Sequence, residues 1–273
     1  MSLLEAVVLG IVQGLTEFLP VSSTAHLRII PALFGWDDPG APFTAVTQIG
    51  TLIAVLVYFR ADILRLGVAF LRSMARRDPF GTPDAKQAWW ILFATLPIAI
   101  CGLLFKDLIE TGFRSLYVIS GSLVFFSILL SIAERVSTRA RDAGSIGLLD
   151  TQVIGLAQAV ALIPGASRSG TTITAGLFLN LTRETAASFS FLLSIPAVAL
   201  SGFYQLYKLR HTLTTDFGVS LLVAVAVSGI VGFLSIAFLL RYLRSHSTSV
   251  FVVYRIALAL IILALLQAGI LAP

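Results

Sequence analysis

The hydropathy pattern predicts an all-α integral membrane protein. Six apolar stretches run roughly 43 to 59, 89 to 105, 116 to 133, 186 to 207, 217 to 240 and 250 to 271. Each approaches the length of about 20 residues that a helix needs to cross hydrocarbon. Two further apolar stretches are interrupted by proline and a run of hydroxyl residues. The first, 2 to 34, breaks at Leu19-Pro20-Val21-Ser22-Ser23-Thr24; the second, 151 to 181, breaks at Pro164-Gly165-Ala166-Ser167-Arg168-Ser169-Gly170. As helices, the halves of the second stretch, 151 to 163 and 171 to 181, are about 17 to 20 Å long and cannot span. Both stretches are therefore expected to be re-entrant helical hairpins, whose irregular backbone is tolerated only in contact with protein or a wet cavity. Residues 2 to 18 are marginally long enough to cross, so the second hairpin is the cleaner of the two.

The two broken stretches align at an offset of 144 to 146, pairing Gly10 with Gly155, Gln13 with Gln158, Pro20 with Pro164 and Ser23 with Ser167. Each is followed by three spans, which divides one membrane domain into repeats 1 to 147 and 148 to 273. Three is odd, so the second repeat starts on the opposite side and the repeat is expected to be inverted. Basic residues set the direction. If 43 to 59 runs inward, twelve arginines and lysines fall in cytoplasmic loops, namely Arg60, Arg65, Arg72, Arg76, Arg77, Lys86, Arg135, Arg139, Arg141, Arg183, Arg241 and Arg244. Five, Arg28, Lys106, Arg114, Lys208 and Arg210, fall outside. The positive-inside rule favours that orientation. The first hairpin then enters from outside, the second from the cytoplasm, and the breaks meet near the midplane.

Composition agrees with this picture and excludes several chemistries. The chain is 57% hydrophobic and only 12% charged, with a mean hydropathy of +0.94; a soluble domain carries about 25% charged residues. One cysteine, Cys101, and three histidines leave no basis for a disulfide framework or a zinc site. The net charge of +5 comes without a basic stripe interleaved with aromatics, so it implies anionic lipid and no nucleic acid. The start, with Glu5 and no basic segment before it, does not read as a removable signal peptide.

Five ionisable residues remain inside apolar sequence: Glu5, Glu17, His26, Arg168 and Arg255. Such residues are costly in lipid and mark function by default. Three of them sit at the breaks. Gln13 and Glu17, four apart, share a helix face one turn before Pro20. That suits a carboxylate that holds a hard cation or takes a proton; the plainer alternative is a carboxylate that only pairs with Arg168. Of Ser22, Ser23 and Thr24, one is expected to cap the next helix. Capping needs one hydroxyl, and three beside His26 suggest a ligand such as phosphate at a helix N-terminus. Gly165, Ser167, Arg168, Ser169, Gly170 and Thr172 form the stronger signal. Glycines admit a ligand to the backbone, successive N–H groups make an anion nest, and arginine matches phosphate bidentately. Together these residues describe an intramembrane site for a polyanion, and surrounding lipid makes the natural ligand an amphiphile. Arg255, some seven residues into the last span, either supports the carbonyls of the second hairpin or snorkels.

The segments from Gln13 to His26 and from Pro164 to Thr172 resemble the two signature motifs of the bacterial undecaprenyl-diphosphatase family, the bacitracin-resistance proteins. Gln48-Ile49-Gly50 and Tyr254-Arg255 agree as well, and the likeness covers the whole chain. The resemblance implies removal of the terminal phosphate of undecaprenyl diphosphate in the bacterial cytoplasmic (inner) membrane. It also implies a divalent cation (Mg2+ or Ca2+), a site open to the periplasmic side, and a lipid product reused in cell-wall synthesis. The family carries Glu or Gln at the position of Gln13; here it is Gln, so Glu17 would hold the cation alone. Glu17, Ser23, His26 and Arg168 are then the expected catalytic residues. Gln13, Ser22, Thr24, Gly165, Ser167, Ser169, Gly170 and Thr172 would bind the diphosphate. Two routes stay open: Ser23 as nucleophile activated by His26 or Glu17, and attack by water with His26 as base. A polyprenyl-phosphate transporter using the same midplane groups is the alternative from another class.

Overall fold

A computed structural model describes residues 1–105, 115–210 and 215–272, and within these the chain forms eleven α-helices. Six are long and apolar enough to span: α3 (Gly40–Tyr58), α5 (Pro83–Leu104), α6 (Leu116–Val136), α9 (Arg183–Leu209), α10 (Thr215–Leu243) and α11 (Ser249–Gln267). They are the six that hydropathy picks out. Several begin a turn earlier than the apolar run because polar residues cap them: Thr82 accepts from the Ala85 amide ahead of Pro83, and Thr182 accepts from Thr185. Lys106, Arg114 and His211 lie outside the described residues.

Both interrupted stretches are helix–break–helix units. The first comprises α1 (Leu3–Phe18) and α2 (Ser23–Phe34), the second α7 (Leu148–Val160) and α8 (Arg168–Phe178), and in each unit the two helices pack together. Glu5 has a structural role: its carboxylate accepts from the Ser2 amide while the Ser2 hydroxyl accepts from the Glu5 amide. One element escaped the sequence reading. The arginine-rich segment after α3, read as a loop, is the amphipathic helix α4 (Arg60–Ala75), joined to α3 through Phe59 and resting on α5.

Each unit's leading helix packs against a helix of the other half, α1 on α10 and α7 on α5. Absent side chains make these contacts possible. A Cβ on Gly10 would lie 2.8 Å from the Ala224 carbonyl oxygen, and one on Gly155 would lie 2.4 Å from that of Ala94. The crossing of α3 and α10 is closer still, with a Cβ on Gly50 falling 2.0 Å from the Val225 carbonyl oxygen. Phe18, at the end of α1, meets Phe191 of α9 edge-on at 5.1 Å, which fixes the first break against the core.

Two carboxylates tie down the arginine-rich end. Buried Glu134 near the end of α6 accepts from Arg183 at the start of α9, from Arg139 at 2.9 Å, and from the Thr248 hydroxyl ahead of α11 at 2.8 Å. Arg141 makes a two-pronged pair with Asp150 in the first turn of α7, at 2.9 and 2.7 Å. That guanidinium holds the Asp150 carboxyl below the usual carboxylate range.

Gly50→Ala is expected to lower stability by about 2 kcal/mol, because α3 must move off α10. Thermal unfolding in detergent measures this, and an unchanged midpoint would contradict the close crossing.

Candidate active site

The two breaks end in the same local construction. Ser22 caps α2 at φ +75° and Ser167 caps α8 at φ +69°; each hydroxyl accepts from the amide three residues on, Ala25 and Gly170. Serine with positive φ is strained backbone of the kind that collects at functional sites. The shared geometry corrects the sequence alignment. Ser22, and not Ser23, is the counterpart of Ser167, so Ser23 corresponds to Arg168, the first residue of each second helix. A single offset of 145 then relates Gly10 to Gly155, Gln13 to Gln158 and Ser22 to Ser167.

Glu17 stands between these two first-turn residues. Its Oε1 accepts from Arg168 Nη2 at 2.5 Å, and its Oε2 accepts from Ser23 Oγ at 2.9 Å and from Gln13 Nε2 at 2.8 Å. Glu17 is 5% exposed. The Arg168 pairing foreseen as the plainer alternative is therefore present, but it occupies only one carboxylate oxygen. Arg168 Nη1 and Gln13 Oε1 are buried without hydrogen-bond partners. Orphaned polar atoms of this kind are costly and point to a further ligand.

The ion pair lies on the floor of a 450 Å³ cavity. Ser22, Ser23, Thr24, Gly165, Ser167 and Arg168 border it, and so does Thr16. Its upper walls come from the start of α3, the end of α5 and the second half of α9. They mix Ile98, Leu103 and Val198 with Gln48, Tyr204 and Gln205. A polar floor under apolar walls is the complement of an amphiphile. The polar wall groups carried no separate signal in the sequence, although Gln48 belongs to one of the segments that carry the family resemblance. The cavity opens at the end of the bundle opposite Glu134, α4 and their arginines.

Several expected site residues are elsewhere. His26 does not border the cavity. Its Nδ1 is 2.7 Å from the Ser22 carbonyl oxygen, which can only accept, so Nδ1 carries the proton and Nε2 accepts from the Tyr254 hydroxyl at 2.7 Å. The imidazole ring is parallel to that of Tyr254, and its hydrogen bonds go to Ser22 and Tyr254 and not to Ser23 or Glu17. Thr172, Ser169 and Gly170 also face inward. The Thr172 hydroxyl pairs with Ser190 at 2.6 Å, and Ser169 Oγ donates to the Leu19 carbonyl of the first break at 3.1 Å. A Cβ on Gly170 would lie 2.7 Å from Arg255 Nη1. A short helix buried from Ser169 through Leu177 turns most of its first-turn groups toward neighbouring helices.

Arg255 is fully buried, and its Nη2 donates to the carbonyls of Gly165 and Ala166, each at 3.0 Å. It supports the second break and does not snorkel. Consecutive residues of α11 therefore hold both breaks: Tyr254 through His26, Arg255 directly.

The chain matches the family model described as bacitracin resistance protein BacA over residues 6–261. It is 56% identical to an undecaprenyl-diphosphatase of Prosthecochloris aestuarii, over 98% of this chain and 99% of the relative. Proteins of that name from Chloroherpeton thalassium and Myxococcus xanthus are also 56% identical. They cover 98% and 100% of this chain, and 98% and 92% of the relatives.

Tyr254→Phe removes one hydrogen bond to His26 and is expected to reduce turnover about fivefold while leaving the fold intact. Steady-state assays measure it; an unaltered kcat would mean that the His26 contact does not position the first break.

Proposed function

The chain belongs to the bacitracin resistance protein family, and from that premise we propose that it hydrolyses undecaprenyl diphosphate to undecaprenyl phosphate and inorganic phosphate at the junction of the two breaks. The product is the lipid carrier of cell-wall synthesis, and hydrolysis of the diphosphate that bacitracin sequesters accounts for the resistance. One observation carries the assignment of the site: Glu17 bonded on one side to a candidate nucleophile, Ser23, and on the other to a candidate phosphate ligand, Arg168.

Phosphoryl transfer needs positioning and neutralisation of charge more than covalent help. Arg168 Nη1, still unpaired, would hold oxygens of the terminal phosphoryl group. Ser23 Oγ would attack the terminal phosphorus, passing its proton to Glu17 along the 2.9 Å hydrogen bond. The bond from that phosphorus to the bridging oxygen breaks, and the lipid monophosphate leaves with that oxygen. Glu17 gives the proton it took to the departing lipid phosphate, so it is a carboxylate again when water attacks the phosphoserine; it takes the proton of that water and returns it to Ser23 Oγ as phosphate departs. The geometry favours Glu17 over His26 as the base, since both His26 nitrogens are engaged with Ser22 and Tyr254.

A divalent cation, Mg2+ or Ca2+, would when bound neutralise the diphosphate oxygens. Among the described residues no three His, Cys, Asp or Glu side chains cluster. The donors that suit it are Glu17, which has a lone-pair site left after three hydrogen bonds, and the unpartnered Gln13 Oε1. One carboxylate with substrate phosphates is a normal set for Mg2+. The arginine-rich end supports a cytoplasmic assignment for Glu134 and α4, so the cavity would open to the periplasmic side of the inner membrane, with the hairpins related as inverted repeats.

Phosphate release by purified protein in detergent tests the reading; binding of the lipid without release would favour transport instead. Arg168→Ala and Glu17→Ala are each expected to lower turnover by about 10²–10³ or more in protein whose unfolding transition is retained. Acid-quenched reactions should yield phosphate on Ser23, and full activity in Ser23→Ala would exclude the serine route in favour of direct attack by water.

A further inference from the structure

Helix α4 carries three distinct faces. Leu66 and Ser73 are buried against α5, where Trp89 Nε1 donates to Ser73 Oγ at 3.1 Å and the indole lies tilted against Phe70 with ring centroids 4.9 Å apart. On the far side Leu64, Val68, Leu71 and Met74 are exposed, Leu64 and Leu71 by about two thirds. Between them runs a row of guanidinium groups at spacings of seven and four, Arg65, Arg72 and Arg76, which falls on one stripe of a helix. An amphipathic helix with arginines bordering an exposed apolar face, beside the tryptophan of a span's first turns, belongs at a membrane–water interface.

The arginine row borders a second cavity, of 570 Å³, closed on the other side by Asp78, Thr82 and Asp84. Arg65 is committed to Asp62 and Asp84. Arg72 and Arg76 have no ion pair among the described residues, and Asp78 is the only other carboxylate in the groove. We propose that this groove binds an anionic glycerophospholipid of the adjacent leaflet, its headgroup phosphate held by Arg72 and Arg76 and its acyl chains laid along Leu64, Val68 and Leu71. A free phosphate ion would satisfy the arginines alone; the apolar face next to them needs the chains. The groove is separate from the cavity over Glu17, which is lined by the start of α3, whereas α4 follows its end.

Native mass spectrometry of the full chain in detergent, titrated with phosphatidylglycerol and with phosphatidylcholine of the same chains, tests this. Tighter binding of phosphatidylglycerol is expected. The double variant Arg72→Ala/Arg76→Ala should weaken it about 25-fold, about fivefold per arginine, with phosphate release in detergent unchanged; Arg72→Lys/Arg76→Lys should restore most of the affinity. Arg168→Ala should bind phosphatidylglycerol as the parent does. Equal binding of both lipids, undiminished affinity in the double variant, loss in Arg168→Ala, or displacement by equimolar inorganic phosphate would each overturn the proposal.

Discussion

Backbone groups released from a helix inside hydrocarbon have no water to turn to, and that constraint governs this molecule. Two hairpins interrupt their helices in the middle of apolar sequence, and the freed carbonyls must be met by protein. Arg255 meets those of Gly165 and Ala166, Ser169 meets that of Leu19, and His26 meets that of Ser22. A buried guanidinium is itself costly unless hydrogen-bonded, so arginine and loop each make the other tolerable. Once the backbone is satisfied from behind, the first turns of α2 and α8 are left with Ser23 and Arg168 directed at one carboxylate.

Much of this was legible in the sequence because the membrane makes length and apolarity decisive. The six spans, both breaks and the meeting of Glu17 with Arg168 follow from counting residues and finding the few charges that apolar sequence contains. Side-chain direction did not follow. His26 and Ser23 are three residues apart, yet one turns to Tyr254 and the other to the cavity. Thr172, Ser169 and Gly170 belong to a hydroxyl-rich motif, but α8 is buried from Ser169 through Leu177 and only Arg168, its first residue, reaches the floor. Helix α4 was hidden by its own arginines, which read as loop charge until the exposed apolar face between them is mapped onto a helix.

Several of the basic residues counted for the expected topology are held in ion pairs. Arg183 and Arg139 converge on Glu134, Arg141 grips Asp150, and Arg65 pairs with Asp62 and Asp84. Counting such residues by sign treats each as a free charge, but carboxylates from near and distant parts of the chain neutralise several of them. Arg72 and Arg76 on α4 are among the described arginines that no carboxylate pairs with, and Arg168, though paired with Glu17, keeps one unpartnered nitrogen.

Tyr254 and Arg255 occupy successive positions on α11, a straight-through helix whose first turn is tethered by Thr248 to Glu134. A helix behaves as a stiff rod over this distance, so both breaks take their alignment from a single spindle. Neither hairpin can be retuned alone: a small rotation of α11 displaces the supports of Ser23 and Arg168 in concert. The pin that sets that rotation, Thr248 on Glu134, is buried about two turns before Arg255.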